Sequence, residues 1–380
     1  MKKKFKLKHF INYIVIGAAT IIFVILNSVG ALGLSEQFLL EKIAISIILA
    51  VSLGLVVGFL GELSLGHAGF MCIGAYIGGK VAAMLSESIG NNFGCFIVSL
   101  IVGGLTAAAA GVIIGLPALR LKGDYLAIVT LAFGEIVKTL FLNSSEESFG
   151  GPIGLETPRY DRNSLFIVAF VIVLLMLAVI QNLIRSKHGR AITSIRDSEI
   201  AARATGINVT RYKLLVFALS AFFAGIAGVL FSYSNYRVQC SKFDYNYSIE
   251  ILVMVVLGGM GSVNGSIIAA SLITFLQIQL ASILTGDLAV LQNIFYALVL
   301  ILIVIYNNAP ALKGFREKHN LKNFFNKLFK KKKDDPDVVR DDEAKWDRVP
   351  TKINMDELLS LDIKVTESTM KPDKDKGGSD

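Results

Sequence analysis

The chain has few of the sequence marks that go with enzymes. No G-x-x-x-x-G-K-[ST] run occurs, so it has no phosphate-cradling loop, and any nucleotide hydrolysis must come from another polypeptide. Histidines and cysteines never fall at metal-ligand spacing, and no metal or cofactor is expected. Cys72, Cys95 and Cys240 stand singly in or beside apolar stretches; an odd, unpaired set argues against both a disulfide framework and a zinc site. The single tryptophan, Trp346, has no evident role. Charge is scarce up to about residue 307, which excludes a soluble globular fold. The net charge of +8 does not call for nucleic acid, because the lysines gather at the flanks of apolar runs and in the C-terminal tail.

What the chain has is apolar length. Of its 380 residues 53% are hydrophobic, and the mean hydropathy is +0.60. Runs of roughly twenty apolar residues recur from Phe10, each able to cross a hydrocarbon core about 30 Å thick. The expected spans are 10–32, 38–60, 67–85, 93–116, 125–142 and 163–184, then 214–235, a long region 249–284, and 288–306. The first follows Lys2, Lys3, Lys4, Lys6 and Lys8 but is too long for a signal-peptide core, so an uncleaved span is expected. This is an all-α, polytopic membrane bundle of about nine or ten segments, some discontinuous.

Between the sixth and seventh spans lies RSKHGRAITSIRDSEIAARATGINVTRYK, Arg185 to Lys213, with seven Lys/Arg against two acids. Such a loop cannot lie in hydrocarbon, and its positive charge places it on the cytoplasmic side. The loop with Arg120 and Lys122 falls on the same side, and those with Glu36, Glu87 and Glu146/Glu147 fall outside. Within the basic loop Asp197 is predicted to cap a short helix and Gly206 to supply a left-handed stop. Ile200, Ala204 and Ile207 share one face; Arg196, Glu199 and Arg203 share the other, with Glu199 and Arg203 in the favourable i,i+4 order. A two-faced cytosolic helix tethered to spans at both ends suits a soluble partner that moves them. The bland alternative is a solvated basic loop.

Two glycine clusters interrupt the apolar pattern. Gly58, Gly61 and Gly66 break VVGFLGELSLGHAGF; Gly258, Gly259, Gly261 and Gly265 break LGGMGSVNG. A lysine-rich tail on the cytoplasmic side requires an even number of crossings after the basic loop. Region 249–284 must then enter twice, as a short segment, a break and a full span. Paired glycine-broken segments point to a transport pathway, with Ser64, His67, Gly258, Gly259 and Gly261 as candidate lining. Glu135 lies near the middle of its span, where a lone carboxylate costs on the order of 2.5–3.5 kcal/mol. Lys138 is one turn away, so the two form either a polar spot beside the pathway or an ion pair between helices. Glu62-x-Ser64-x-Gly66 lacks the leading glycine of a nucleophile elbow. Local capping by Ser64 and His67 is the expected role there, and Asp124 is expected to cap the span from Tyr125.

These pieces resemble the permease subunits of branched-chain amino acid ABC importers, of the LivM-like type. The resemblance is carried by GELSLGHAGFMCIGAY (61–76), LRLKGDYLAIVTLAFGEIV (119–137), GGPIGL (150–155), GRAITSIRDSEIAARATGINVTRYKLLVFALSAFFAGIAG (189–228) and VVLGGMGSVNGS (255–266). They run in order across about 40–307. The resemblance implies an EAA-type coupling loop that docks an ATPase, carried here by Glu199, Ala201, Ala202 and Gly206; Arg196 and Ile200, on the same two-faced helix, are added as candidate docking residues. It also implies a second, LivH-like permease, two ATP-binding subunits and an extracellular solute-binding protein, with no catalysis in this chain. Glu62 departs from the glutamine common in the family, and the charged tail from Lys313 is unusual.

The expected organisation is therefore a permease domain, 1–312, with the loop 185–213, and a charged, disordered cytoplasmic tail, 313–380, whose basic stretch 318–333 suits anionic lipid. The expected cargo is leucine, isoleucine and valine. The same machine for urea, amides or other amino acids is the nearest alternative. An ion-coupled transporter using Glu135, and an intramembrane hydrolase using Ser64, come from other classes.

Overall fold

The computed structural model describes residues 11–283, apart from 91–92, 122 and 159–161, together with positions 298 and 301. All of it belongs to one compact unit, Met1–Asn308. The N-terminal lysines, Lys122, all but positions 298 and 301 of the span expected at 288–306, and the tail lie outside the described residues.

The chain enters with α1 (Ile11–Ser28) and α2 (Leu34–Gly54), which tightens into a π-helical turn, Leu55–Leu60. After the interruption at 61–66 come α3 (His67–Ile73), a second π turn (Gly74–Gly78) and α4 (Gly79–Ile89). Then follow α5 (Phe93–Ala118), α6 (Asp124–Leu142), the single turn α7 (Glu146–Phe149) and strand β1 (Leu155–Glu156). Helix α8 (Arg162–Arg185) leads into the basic segment, which forms two helices, α9 (Lys187–Asp197) and α10 (Glu199–Ala204). The chain continues through α11 (Val209–Ser234), β2 (Arg237–Val238), a 3₁₀ turn, α12 (Tyr245–Gly258) and α13 (Val263–Ile283).

Seven helices among the described residues are long and apolar enough to cross a membrane. The segment Leu34–Leu60 is 89% buried and forms the axis of the bundle, whereas Phe93–Ala118 and Val263–Ile283, each 28% buried, lie at its periphery. Close approach of helices rests on small residues, since lipid supplies no hydrophobic drive between apolar surfaces. A Cβ on Gly225 of α11 would stand 2.6 Å from the Gly103 carbonyl oxygen of α5, and one on Gly228 would overlap the Met71 carbonyl of α3. One end of the bundle is closed by β1 and β2, paired antiparallel with Glu156 opposite Arg237, and these two form an ion pair.

Region 249–284 divides as expected into a shorter helix, a break at Gly259–Ser262 and a full-length helix. Helices α12 and α13 pack against each other and against α2. The break lies at the end of the bundle that carries α9, where Gly261 meets Gly58 at the end of α2. Asp124 does not cap α6: Gly123, at φ +59°, is the cap residue, and Asp124 occupies the first turn, where its charge favours the helix N-terminus without a capping bond.

Candidate functional site: a joint between the basic loop and two broken helices

Two successive short helices form in the basic loop because each has its own side-chain cap. Ser186 Oγ accepts from the backbone N–H of His188 (3.1 Å) and Gly189 (3.3 Å) and starts α9. That helix buries Gly189, Ile192 and Ile195, spaced i, i+3, i+6, and leaves Lys187 and Arg190 outward. Asp197 does not start the next helix. It is the last residue of α9, and its Oδ1 accepts from Arg196 Nε (3.1 Å) and Nη2 (3.0 Å). The cap is Ser198, whose extended backbone turns its Oγ toward the Ala201 N–H at 3.3 Å.

Helix α10 stops as expected. Gly206 has φ +83°, its N–H reaches the Arg203 carbonyl at 3.0 Å, and the Ile207 N–H reaches the Ala202 carbonyl at 3.1 Å. These are the two bonds of a Schellman stop, which requires the left-handed residue that glycine supplies. Glu199 and Arg203 pair at 2.6 Å, as their spacing implies.

The assignment of faces is corrected in part. Ile200 is 81% exposed and Ala201 and Ala204 are exposed, whereas Ala202 is buried. Glu199, placed on the charged face with Arg196 and Arg203, turns inward with 17% side-chain exposure. The reason is Lys213 in α11, only 3% exposed, whose Nζ contacts Glu199 Oε2 at 3.3 Å and Glu62 Oε1 at 2.5 Å. A buried ammonium needs charged partners, and the first break and α10 each supply one. Sequence reasoning did not single out this Lys213–Glu62 pair; the only signals were a charge at each edge of an apolar run.

Arg196, although 40% exposed, reaches back to the bundle with one end of its guanidinium. Its Nη1 donates to the Gly58 carbonyl at 3.1 Å, satisfying one of the acceptors left open at the end of α2. Gly61 (φ +81°) ends that π turn. A Cβ there would stand 2.6 Å from Arg196 Cγ. On the other side a Cβ on Gly58 would overlap the Gly261 amide. Gly58, Gly61, Arg196 and Gly261 therefore meet at one point.

The interruption at 61–66 is braced from outside rather than capped locally. The Leu65 N–H donates to Thr130 Oγ1 of α6 (3.0 Å), and the Ala68 N–H donates to Ser248 Oγ of α12 (3.1 Å). His67 makes no cap; its Nε2 lies 2.9 Å from Ser52 Oγ. Ser64 Oγ is buried without a hydrogen-bond partner among the described residues. Glu135 stands apart from this group. It pairs with Lys138 at 3.1 Å, and its Oε1 accepts the Tyr245 N–H at 3.0 Å. That places it at the start of α12, with Gly258 and Gly259 at the other end, about 20 Å of helix away.

A polytopic helical bundle whose basic loop folds into capped helices and docks on two broken segments defines a transport permease. The chain belongs to the family described as branched-chain amino acid transport system / permease component, whose model matches residues 37–305. It is 42% identical over 261 residues to the high-affinity branched-chain amino acid transport system permease protein LivM of Salmonella typhimurium, covering 60% of each chain. The same figures hold for LivM of Escherichia coli. A more distant relative is the ribose import permease protein RbsC of Escherichia coli, 25% identical over 71% of this chain and 84% of the relative. The chain thus spans about three-fifths of the length of the LivM proteins it matches. No solved structure matches it.

Proposed function

We propose that this chain is a permease subunit of an ATP-binding-cassette importer, carrying leucine, isoleucine and valine into the cell while partner subunits hydrolyse ATP. The single observation behind this reading is the Schellman-stopped helix α10, which holds Ile200 outward while Lys213 and Glu199 tie it to the bundle. In this reading Ile200 and Ala201 form the contact with an ATP-binding subunit. Glu199 holds the helix in place, and Ala202 and Gly206 shape it. A second, LivH-like permease completes the path, a solute-binding protein delivers cargo outside, and both termini lie in the cytoplasm. The basic stretch 318–333 of the tail meets anionic lipid. A zwitterionic amino acid needs such a protein-lined route, because burying its two charges in hydrocarbon is prohibitive. Ser64, His67, Gly258, Gly259 and Gly261 are proposed to border that route.

The other readings have less support. The likeness to RbsC makes a sugar the competing cargo within the same kind of machine. An ion-coupled mechanism would need a titrating carboxylate in the path, whereas Glu135 is held by Lys138 and the Tyr245 N–H. A hydrolase would need His67 beside Ser64, but His67 is bonded to Ser52.

The test is uptake by proteoliposomes holding the chain with its second permease, ATP-binding subunits and binding protein. ATP-driven accumulation of leucine, with none of ribose, is expected. Ile200→Asp is expected to cut leucine uptake at least tenfold while the membrane subunits stay assembled. Uptake driven by an ion gradient with this chain alone would overturn the reading.

A further inference from the structure

We propose that Arg196 is a positioning residue that joins α9 to both broken segments, and that Lys213 latches this joint through Glu62 and Glu199. A displacement of α9–α10 then reaches the transport path through these side chains. The inference rests on the importer reading, but it gives Arg196 a role inside the bundle instead of at the surface that meets the ATPase.

Three observations carry it. First, Arg196, 40% exposed, sends one donor into the bundle and the others sideways to its neighbour. Nη1 donates to the Gly58 carbonyl, while Nε and Nη2 donate to Asp197, which fixes the guanidinium relative to the end of α9. A docking arginine would present these donors to a partner. Second, the glycines make room for it. A side chain on Gly61 would strike the Arg196 methylenes. Gly261 comes close enough that a Cβ there would sit 3.4 Å from the Gly58 oxygen and 3.7 Å from Nη1. One guanidinium thus stands beside the crossing of the end of α2 and the α12–α13 break, so that moving α9 pulls on the first through the Gly58 carbonyl and on the second through the close Gly58–Gly261 approach. Third, the latch can open without stranding a charge. Lys213 holds Glu62 at 2.5 Å and Glu199 at 3.3 Å, while Glu199 also holds Arg203 at 2.6 Å. If α10 moves away, the long contact breaks and two complete ion pairs remain, Lys213–Glu62 and Glu199–Arg203. A buried charge left alone would oppose such a motion; this arrangement leaves none alone.

The experiment uses the assembled transporter in proteoliposomes, with Met260→Cys as a reporter in the second break. Met260 is 66% exposed, and Cys72, Cys95 and Cys240 are buried, so a thiol reagent reads the reporter. ATP binding is expected to change the labelling rate of the reporter at least threefold. Arg196→Ala is expected to abolish that response and to lower leucine uptake per ATP hydrolysed about tenfold, with the ATP-binding subunits still co-purifying. Arg196→Lys, which keeps a donor for the Gly58 carbonyl, is expected to restore part of the response. Glu199→Gln, which leaves Lys213–Glu62 intact and so keeps the fold, is expected to raise cargo-independent ATP hydrolysis at least threefold. The joint is overturned if Arg196→Ala releases the ATP-binding subunits, if the reporter responds normally in that variant, or if Glu199→Gln changes nothing. A reporter that answers ATP without any leucine uptake would sink the cargo assignment and leave the joint standing. No answer to ATP in the unaltered chain would sink both.

Discussion

Lys213 shows how much a single position can decide in a bundle where charges are few. Its ammonium is buried between two carboxylates that come from opposite sides of an interface, Glu62 from the first break and Glu199 from α10. Replacing it with methionine removes the cation and takes from Glu62 its ion-pair partner, while Glu199 keeps Arg203. Breaking a buried pair by deleting one partner costs about 3–5 kcal/mol, more than the pair itself contributes. Lys213→Met is therefore expected to lower the thermal unfolding midpoint of the purified protein markedly. Glu62→Gln keeps an oxygen acceptor for Lys213 and is expected to cost far less. The double variant, Glu62→Gln with Lys213→Met, is expected to regain part of the loss. Equal midpoints for the unaltered chain and Lys213→Met would show that the ammonium is not needed there.

At the scale of elements, what could be read from sequence was what local chemistry determines. The stop of α10 was legible because one glycine in the right place encodes it, and the Glu199–Arg203 pair because its spacing does. Its start was misread by one residue: Asp197 and Ser198 are both good caps, and only the extended backbone at Ser198 decides between them. Helix α9 was not foreseen, although Ile192 and Ile195 were in view, because a stretch so basic reads as loop until its narrow buried face finds the end of α2. The two glycine breaks were legible as breaks, yet their crossing was not, since Gly58 and Gly261 lie about two hundred residues apart and only packing brings them together. The open space around Gly206 makes a clean test of the element itself. With nothing within 4 Å of an added Cβ, Gly206→Val meets no steric obstacle beyond its own backbone. A left-handed conformation costs an L-residue about 1–2 kcal/mol, and a β-branched one more. The variant is expected to fray α10 and weaken co-purification of an ATP-binding subunit, with the transmembrane helices unchanged by circular dichroism. Undiminished co-purification would mean that the shape of α10 is not what the partner reads.

On the scale of the whole molecule, the direction of each helix follows from the joint. Helix α11 leaves it and ends beside the β1–β2 pair, α12 returns to it, and α13 leaves again, so the break at Gly259–Ser262 and the start of the loop 61–66 lie at the same end as α9 and α10. The loops with Glu87, Glu146 and Glu147 lie at the other end, where Lys80 Nζ donates to the Glu147 carbonyl. This separation turns the positive-inside rule into one measurement on two positions. Both chosen sites are surface residues, Ile200 on α10 and Glu147 on α7, and the native thiols are buried, so an introduced cysteine dominates labelling. A membrane-impermeant thiol reagent added to intact cells is expected to modify Glu147→Cys and to spare Ile200→Cys. Inverted vesicles stripped of their ATP-binding subunits are expected to give the reverse. The two sites must behave oppositely in each preparation, because an odd number of long helices runs between the ends that carry them. Labelling of Ile200→Cys from outside the cell would put the joint on the wrong side of the membrane for any partner that consumes cytosolic ATP. The importer reading and the linkage through Arg196 would then fail together.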